Sequence, residues 1–202
     1  MIPLHAYLLY CGLYAIAIAV PGPGIVAIVA RALRSGFRSA IPAVLGNAVG
    51  DWILMSLSAL GLAVLAQSMG KLFLIVRLAG AVYLFYLGYK YWTAEAADAT
   101  DAPPADARQG FLSQLALTLG NPKAIAFFVA LLPVAVDINH LKPAGYFQLS
   151  ATTFVLLPAI MLSYAALAAR IRQFLSSRKA QNRLNKTAAV IMVGTGIGVA
   201  AT

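Results

Sequence analysis

Three ionisable residues, Asp51, Arg77 and Lys123, lie inside long apolar segments of the 202-residue sequence. An ionised side chain is costly among apolar neighbours, so each of the three is a functional candidate. Asp51 lies about 11 residues and Lys123 about 12 residues from the basic end of its segment, or roughly 16 and 18 Å along a helix. At matching depth the two charges could neutralise each other, as a purely structural pair. Asp51 could instead bind a substrate ammonium group or carry a coupling proton.

The neighbours of Asp51 indicate that it faces other helices. Asn47 precedes Asp51 by four residues and therefore shares its helix face. Gly46 and Gly50 form a pair of small residues that lets another helix approach closely. Arg77 is a weaker candidate, because it stands near the start of its segment and could reach the interface as an anchor.

Two apolar segments contain helix-breaking motifs, PGPG and NPK. The residues are Pro21, Gly22, Pro23, Gly24, Asn121, Pro122 and Lys123. Proline lacks a backbone donor and displaces the carbonyl four residues earlier, which would free the carbonyls of Ala17, Ala19 and Thr118. Irregular backbone at membrane depth is tolerated only where it is buried in protein or lines a wet cavity. A plain proline kink is the alternative reading, and it is stronger for NPK than for PGPG.

A broken helix offers a ligand groups of both signs. Carbonyls that end one half suit a cation, and free N–H groups near Val26 and Ala27, at the start of the next half, suit an anion. A zwitterionic amino acid has one group of each kind. The predicted substrate-binding residues are therefore the members of both motifs together with Asn47 and Asp51, and Asp51 is also the predicted proton-coupling residue.

The segments that must position these residues are membrane spans. The chain is 61% hydrophobic and 10% charged, with a mean hydropathy of +0.83, whereas soluble domains carry about 25% charged residues. Most of the apolar stretches reach the length of about 20 residues that a bilayer requires. The sequence predicts an all-α integral membrane protein with six transmembrane helices, at about 4–30, 40–66, 71–92, 111–134, 146–169 and 187–202.

The net charge of +9 indicates orientation rather than nucleic-acid binding. Loops one, three and five hold eleven Lys and Arg residues, whereas loops two and four hold one each. The positive-inside rule then places loops one, three and five in the cytoplasm and both termini in the periplasm.

A polar stretch at about 93–110 is predicted to be a linker between two halves, at about 1–92 and 111–202. Each half has three spans, so the second half must enter the membrane from the opposite side, as an inverted repeat. One break falls in the first span of each half, and such matching interruptions point to the binding site of a transporter. We therefore predict a single transmembrane transporter domain over residues 1–202.

Longer motifs carry a family resemblance. They are PGPG near the end of the first span, RALRSGFRSAIPAVLGNAVGD leading into the second, RLAGAVYLFYLGYKYW in the third and GFLSQLALTLGNPKAIAFFVALLP in the fourth. In combination they resemble the lysine exporter and homoserine/threonine efflux family, LysE/RhtB. The similarity is good over roughly residues 4–134 and looser beyond.

The resemblance implies a bacterial inner-membrane exporter of amino acids or related metabolites, driven by the proton motive force, with six helices in two inverted three-helix repeats. The family's motif positions fall on Pro21, Gly22, Pro23, Gly46, Asp51, Asn121, Pro122 and Lys123. Gly24 replaces the family's usual Asn, Asp or Ser, which puts a side-chain contact at this position in doubt. Arg77 replaces the usual Lys and keeps its charge.

Other function classes fit less well. An intramembrane enzyme needs a Ser/His pair, a carboxylate pair or a metal cluster, but His5 and His140 are placed at or outside the outer surface, so neither an enzyme nor a cofactor is expected. A divalent-metal exporter would need more ligands than Asp51 and Asn47 supply, and a passive channel is a further alternative. With few acids in the site, neutral amino acids such as threonine, homoserine or leucine are favoured. Small-residue faces would suit a homodimer.

Overall fold

A computed structural model describes residues 1–59, 106–138 and 140–171, together with single positions between 78 and 93 and between 183 and 197. Over these described residues the fold is helical and contains no strand. Arg77 lies outside the described residues, as do most of the predicted linker and most of the predicted third and sixth spans.

The first part of the chain forms three helices: α1 (Leu4–Ala19), α2 (Pro23–Ser35) and α3 (Phe37–Ala59). α1 ends just before PGPG, and Pro23 then occupies the first turn of α2, where its missing N–H leaves no bond unmade. Gly36 ends α2 with φ 81°, a conformation that favours glycine, and so lets the chain pass directly into α3.

The second part begins with α4, whose first turn is capped by Asp106 through a 2.9 Å hydrogen bond from the Arg108 N–H. After the second break, a short helix continues through one π-helical turn into another short helix. The long α7 follows, and Pro158 lies inside it without ending it. The bounds are α4 Ala107–Leu119, α5 Pro122–Ala126, the π-helical turn Phe127–Leu131, α6 Leu132–Ala135 and α7 Pro143–Ile171.

Both predicted helix breaks are present. Leu4–Ala19 and Pro23–Ser35 are bent by 55° against each other, and Ala107–Leu119 and Lys123–Ala135 by 56°. Of the described helices, α3 and α7 are each long and apolar enough to cross a membrane, and each bent pair could form one further span. The protein is thus a multi-pass membrane protein, while its arrangement as six spans in inverted repeats stays a prediction.

Side-chain hydrogen bonds show that α1 and α7 run parallel and that α3 runs antiparallel to α7. Successive residues of α1 meet successive residues of α7, whereas partners on α3 and α7 progress in opposite directions. The pairs are Tyr7 with Thr152 and Ala19 with Tyr164 for α1 and α7, and Trp52 with Ser150 and Ser56 with Tyr146 for α3 and α7. These directions agree with the order of the predicted spans.

The small residues of α3 are used within the chain. A Cβ atom at Gly46 would collide with the carbonyl oxygen of Phe111, and one at Gly50 would lie 2.7 Å from the Thr118 side chain. α4 therefore packs directly on this face, as the close approach of another helix predicted. This glycine pair therefore packs within the chain, and the homodimer stays a prediction.

The outer faces of α1 and α7 are apolar. Leu8, Ile16, Phe147 and Val155 are between 60% and 72% exposed. Hydrocarbon accommodates such side chains without the free-energy cost of exposing them to water. The polar side chains discussed below lie on the opposite, inward faces.

Candidate functional site

A cavity opens between the two helix breaks. Its volume is about 460 Å³ including the open mouth. This is room for a few waters or a small polar metabolite. Six of the nine predicted site residues line it, namely Gly22, Gly24, Asn47, Asp51, Asn121 and Lys123. Pro21 and Pro23 are not among the lining residues, and Pro122 begins α5.

The carboxylate of Asp51 is nearly buried and is held by α1. Its Oδ2 atom accepts a 2.8 Å hydrogen bond from the Tyr14 hydroxyl, and the two residues are 5% and 1% exposed. The Tyr14 ring stacks on Tyr10 and contacts Phe127 and Phe128, with ring centroids 5.3 and 5.8 Å away. This packing fixes the direction from which the hydroxyl reaches Asp51.

Lys123 reaches the first break. Its Nζ atom donates a 2.5 Å hydrogen bond to the carbonyl of Val20, the residue after the end of α1. A cation is favourable at this position, because the helix dipole leaves partial negative charge at a C-terminus. Lys123 thus links α5 to the backbone of Val20, the residue directly before the PGPG motif.

A direct ion pair between Asp51 and Lys123, one of the alternatives for Asp51, is not formed in the described structure. No ion pair joins the two side chains in the described part of the chain, because the carboxylate bonds Tyr14 and the ammonium bonds Val20. The two groups still interact electrostatically, and both line the cavity. The site therefore presents one group of each charge on two different helices.

The backbone of the first break is bonded largely by side chains from other helices. The predicted free carbonyl at Ala19 is wrong, because it accepts a 2.8 Å hydrogen bond from the Tyr164 hydroxyl of α7. The predicted free N–H at Val26 is wrong, because this group donates to the Gly22 carbonyl at 3.0 Å. Since α2 begins at Pro23, Val26 and Ala27 already lie inside the helix, and the orphan donors belong to the turn before them.

The second break satisfies its backbone locally. The Asn121 N–H donates to the Thr118 carbonyl at 3.0 Å, so the prediction of a free carbonyl at Thr118 is wrong. The Asn121 side chain caps α5 by accepting a 3.1 Å hydrogen bond from the Lys123 N–H. These bonds orient α5, and with it the Lys123 side chain, towards the cavity.

Asn47 ties α3 to α4. Its Oδ1 atom accepts hydrogen bonds from Gln114 at 2.8 Å and from Thr118 at 2.9 Å, and Gln114 also reaches the Gly24 carbonyl at 3.3 Å. A Cβ atom at Gly24 would lie 3.0 Å from both Asn47 Oδ1 and Gln114 Nε2. The absence of a side chain at Gly24 therefore gives this buried network its room.

The residues that line the cavity suit a zwitterion better than a metal ion. Among the described residues, no cluster of three or more His, Cys, Asp or Glu side chains could hold a metal ion. The cavity has instead the carboxylate of Asp51, the ammonium of Lys123 and the side-chain amides of Asn47 and Asn121. Such a set can bind a small molecule that carries both a carboxylate and an ammonium group.

The sequence profile of the LysE type translocators matches residues 15–202. The chain belongs to the LysE type translocator family. The protein is therefore a membrane transporter and not an enzyme, as the resemblance implied.

Several bacterial proteins are similar to this LysE type translocator. A homoserine/homoserine lactone efflux protein of Salmonella typhimurium is 32% identical over 183 residues, which cover 90% of this chain and 87% of the relative. An uncharacterised membrane protein of Pseudomonas aeruginosa is 35% identical over 73% of this chain and 71% of its own length. One from Vibrio cholerae is 29% identical over 95% and 93%. No solved structure matches the chain.

Two polar partners in this LysE type translocator were missed by sequence analysis. Tyr14 bonds Asp51, and Gln114 bonds Asn47. A signal for Tyr14 exists in the sequence, because Tyr7, Tyr10 and Tyr14 recur on one face of an apolar helix. Gln114 is an amide within an apolar span, and such polar groups commonly bond across helices.

Proposed function

We propose that the protein exports amino acids or related metabolites across the bacterial inner membrane and that the proton motive force drives this export. The observation that carries the proposal is that Asp51 and Lys123 line one cavity without forming an ion pair. A carboxylate and an ammonium group that bond neutral partners and not each other are complementary to a zwitterion. The printed name of the Salmonella relative, an efflux protein for homoserine and its lactone, supports this substrate class.

In the proposed mode of binding, the substrate carboxylate binds Lys123 and replaces the Val20 carbonyl as its partner. The exchange is favourable because an ionised acceptor makes a stronger hydrogen bond to an ammonium group than a neutral one. The substrate ammonium group binds near Asp51, where Asn47 and Asn121 supply further polar atoms. With one acid opposed by one base, the site favours neutral amino acids such as threonine, homoserine or leucine over lysine.

Asp51 supplies a means of coupling substrate export to proton uptake. A proton and a substrate ammonium group both bind a carboxylate, and each weakens the binding of the other. If Asp51 holds a proton when the cavity faces one side and a substrate when it faces the other, export of one substrate brings in one proton. The two bent pairs, with nearly equal bends, would be the moving parts of such alternating access.

The proposed orientation follows from the charge distribution. Loops one, three and five, which hold most basic residues, lie in the cytoplasm, and the N-terminal ends of α1 and α7 face the periplasm. The parallel directions of α1 and α7 support this arrangement. We expect six spans in two inverted repeats.

The test uses proteoliposomes that contain a trapped pH dye and the full-length protein. Homoserine, threonine, leucine, lysine and Zn²⁺ are added in turn under an imposed pH gradient. We expect proton movement with neutral amino acids and their accumulation against a concentration gradient. Equilibration without accumulation would indicate a channel, and a response to Zn²⁺ alone would indicate a metal exporter. Either result would overturn the proposal.

A further inference from the structure

Tyr10 carries a buried hydroxyl that the proposed mechanism of export does not use. Its side chain is 0% exposed, and its hydroxyl has no hydrogen-bond partner among the described residues. Burying an unbonded hydroxyl costs about 1 to 3 kcal/mol, and phenylalanine would fill the same space without this cost. The hydroxyl therefore needs an explanation other than packing.

Tyr10 lies in a column of hydroxyl groups between α1 and α7. Tyr7, Tyr10 and Tyr14 follow a spacing of three and four residues, which places them on one face of α1 over about 10 Å. Thr152 of α7 bonds the Tyr7 hydroxyl at 2.7 Å. Thr153, which is 0% exposed, is a neighbour of both Tyr10 and Tyr14.

The column joins Asp51 to the N-terminal end of α1. At its inner end, Tyr14 donates to Asp51 Oδ2 and lines the cavity. At its outer end, Tyr7 is only partly buried, and the nearby Ile2 N–H bonds Gln148 of α7. Asp51 thus stands between the cavity on one side and the hydroxyl column on the other.

The titratable groups around this column come from few elements. Near Asp51 these are Tyr14 and Tyr10 from α1 and Lys123 from α5, and near Tyr10 they also include Tyr7 and Cys11 of its own helix. α7 faces the column with the threonine hydroxyls. No described residue places a second carboxylate there, so a proton that enters the column has Asp51 as its acceptor.

We propose that the hydroxyls of Tyr7, Tyr10 and Tyr14, with those of Thr152 and Thr153, form the path by which Asp51 takes up protons from the N-terminal side of α1. This inference rests on the proposed function. As Tyr14 gives its proton to the Asp51 carboxylate, its oxygen receives one from the Tyr10 side, Tyr10 is resupplied from Tyr7 and the threonines, and Tyr7 takes one proton from water at the N-terminal side of α1. Each hydroxyl ends neutral, and only Asp51 gains a proton.

The bond that must form for this transfer lies at Tyr10. Thr153 donates to the Leu149 carbonyl at 3.0 Å, so to pass a proton inwards it must turn its hydroxyl to the Tyr10 oxygen while its own lone pairs accept a proton from the Tyr7 side. A small rotation at Thr153 or a bridging water would close the column. An intermittent connection of this kind would also limit proton leakage while the cavity is empty.

The test separates proton movement from substrate movement in proteoliposomes. Exchange of labelled homoserine at equal pH on both sides requires no net proton movement, whereas substrate-driven proton flux does. We expect Tyr10→Phe to exchange homoserine at a rate close to wild type while proton flux falls by about tenfold or more, since a positioned proton-transfer group contributes about 10² to 10⁴ in rate. Thr153→Val, which is similar in shape, should have the same selective effect.

Tyr146→Phe is the matched control, because it also removes one tyrosine hydroxyl, the partly buried partner of Ser56 at 2.8 Å, outside the column. Wild-type proton flux in both Tyr10→Phe and Thr153→Val would overturn the inference, as would an equal loss in Tyr146→Phe. Wild-type vesicles that exchange homoserine but move no protons would overturn the proton coupling and the column with it, and would leave only homoserine transport standing. Vesicles that do neither would overturn the proposed function and the column with it.

Discussion

The two helix breaks look alike in sequence and differ in how their backbone groups are satisfied. At the first break, the carbonyls of Ala19 and Val20 are bonded by Tyr164 and Lys123, which lie on distant segments. At the second break, Asn121 bonds its own neighbours on both sides, through its N–H and its side chain. The backbone of the first break is thus bonded by side chains from distant segments, whereas the backbone of the second break is bonded by its own residue Asn121.

This difference suggests different roles. A backbone carbonyl that is held by a side chain can exchange that partner for a ligand without unfolding anything, so the first break can serve as an adjustable part of the site. A self-capped break is rigid, and it can present a side chain at a fixed place, as the second break presents Lys123. If the first break proved rigid or the second adjustable, the two breaks would not differ in role in this way.

The largest effect is expected at Asp51, the carboxylate that lines the cavity with both breaks. Asp51→Asn keeps the shape and can still accept the Tyr14 hydrogen bond, but it can neither carry a proton nor attract an ammonium group. We expect proton-coupled transport to fall by at least about a hundredfold. The amount of folded protein, measured by size-exclusion chromatography in detergent, should stay near wild type.

The control for this change is Asp137→Asn, an exposed carboxylate next to His140 that lies away from the cavity. It should transport like wild type. Retention of wild-type transport by Asp51→Asn would remove Asp51 from the mechanism and leave its carboxylate as a structural partner of Tyr14.

The next largest effect is expected where the second break reaches the first. Lys123→Met removes the bond to the Val20 carbonyl and the proposed partner of the substrate carboxylate. A hydrogen bond to a charged group contributes about 1.5 to 3 kcal/mol, so we expect substrate affinity to fall roughly ten- to hundredfold, measured as the half-saturating homoserine concentration. Lys142→Met, at an exposed lysine, is the matched control. Unchanged affinity in Lys123→Met would show that Lys123 only closes the break.

The next effect is expected at the contact between Gly46 of α3 and Phe111 of α4, which holds the two helices close together. Gly46→Ala would drive a methyl group into the Phe111 carbonyl, a backbone atom that cannot move aside. We expect the free energy of unfolding to fall by about 1 to 3 kcal/mol, seen as a lower midpoint of thermal unfolding in detergent. Gly12→Ala, where nothing lies within 4 Å of the added carbon, should cause no loss. Equal midpoints for both variants would mean that α4 does not pack on α3 this closely.

Sequence reasoning succeeded where a residue type has few options. A carboxylate in an apolar span must face the interior, and Asp51 is 5% exposed on the cavity wall. Single prolines such as Pro158 stay inside a helix, but the PGPG and NPK motifs combine proline with other helix-breaking residues, and the bend follows at both motifs. A pair of small residues admits a neighbour, and α4 is that neighbour.

Sequence reasoning failed where the choice of partner depends on how helices are rotated against each other. Lys123 and Asp51 lie at similar depth, but depth does not fix which acceptor the ammonium meets, and Val20 was the nearer one. The spacing of Tyr7, Tyr10 and Tyr14 marks one face of α1, but it does not show that Tyr14 is the one that meets Asp51. Val26 was misassigned because Pro23 begins α2 earlier than a broken helix alone would indicate.

The smallest predicted effect distinguishes the two breaks directly. Tyr164→Phe removes the bond to the Ala19 carbonyl, and Asn121→Ala removes the cap of α5, so each should lower the free energy of unfolding by about 1 kcal/mol. Their effects on backbone hydrogen exchange should differ. Because the first break is bonded from α7, Tyr164→Phe should speed exchange on both α1 and α7. Asn121→Ala should speed exchange in α5 only.

Ser163→Ala is the control, because it removes an exposed α7 hydroxyl that bonds only the Ala159 carbonyl of its own helix in the described structure, and it should change neither pattern. Faster exchange at both breaks in both variants would mean that the breaks open together, and the distinction between an adjustable and a rigid break would be lost.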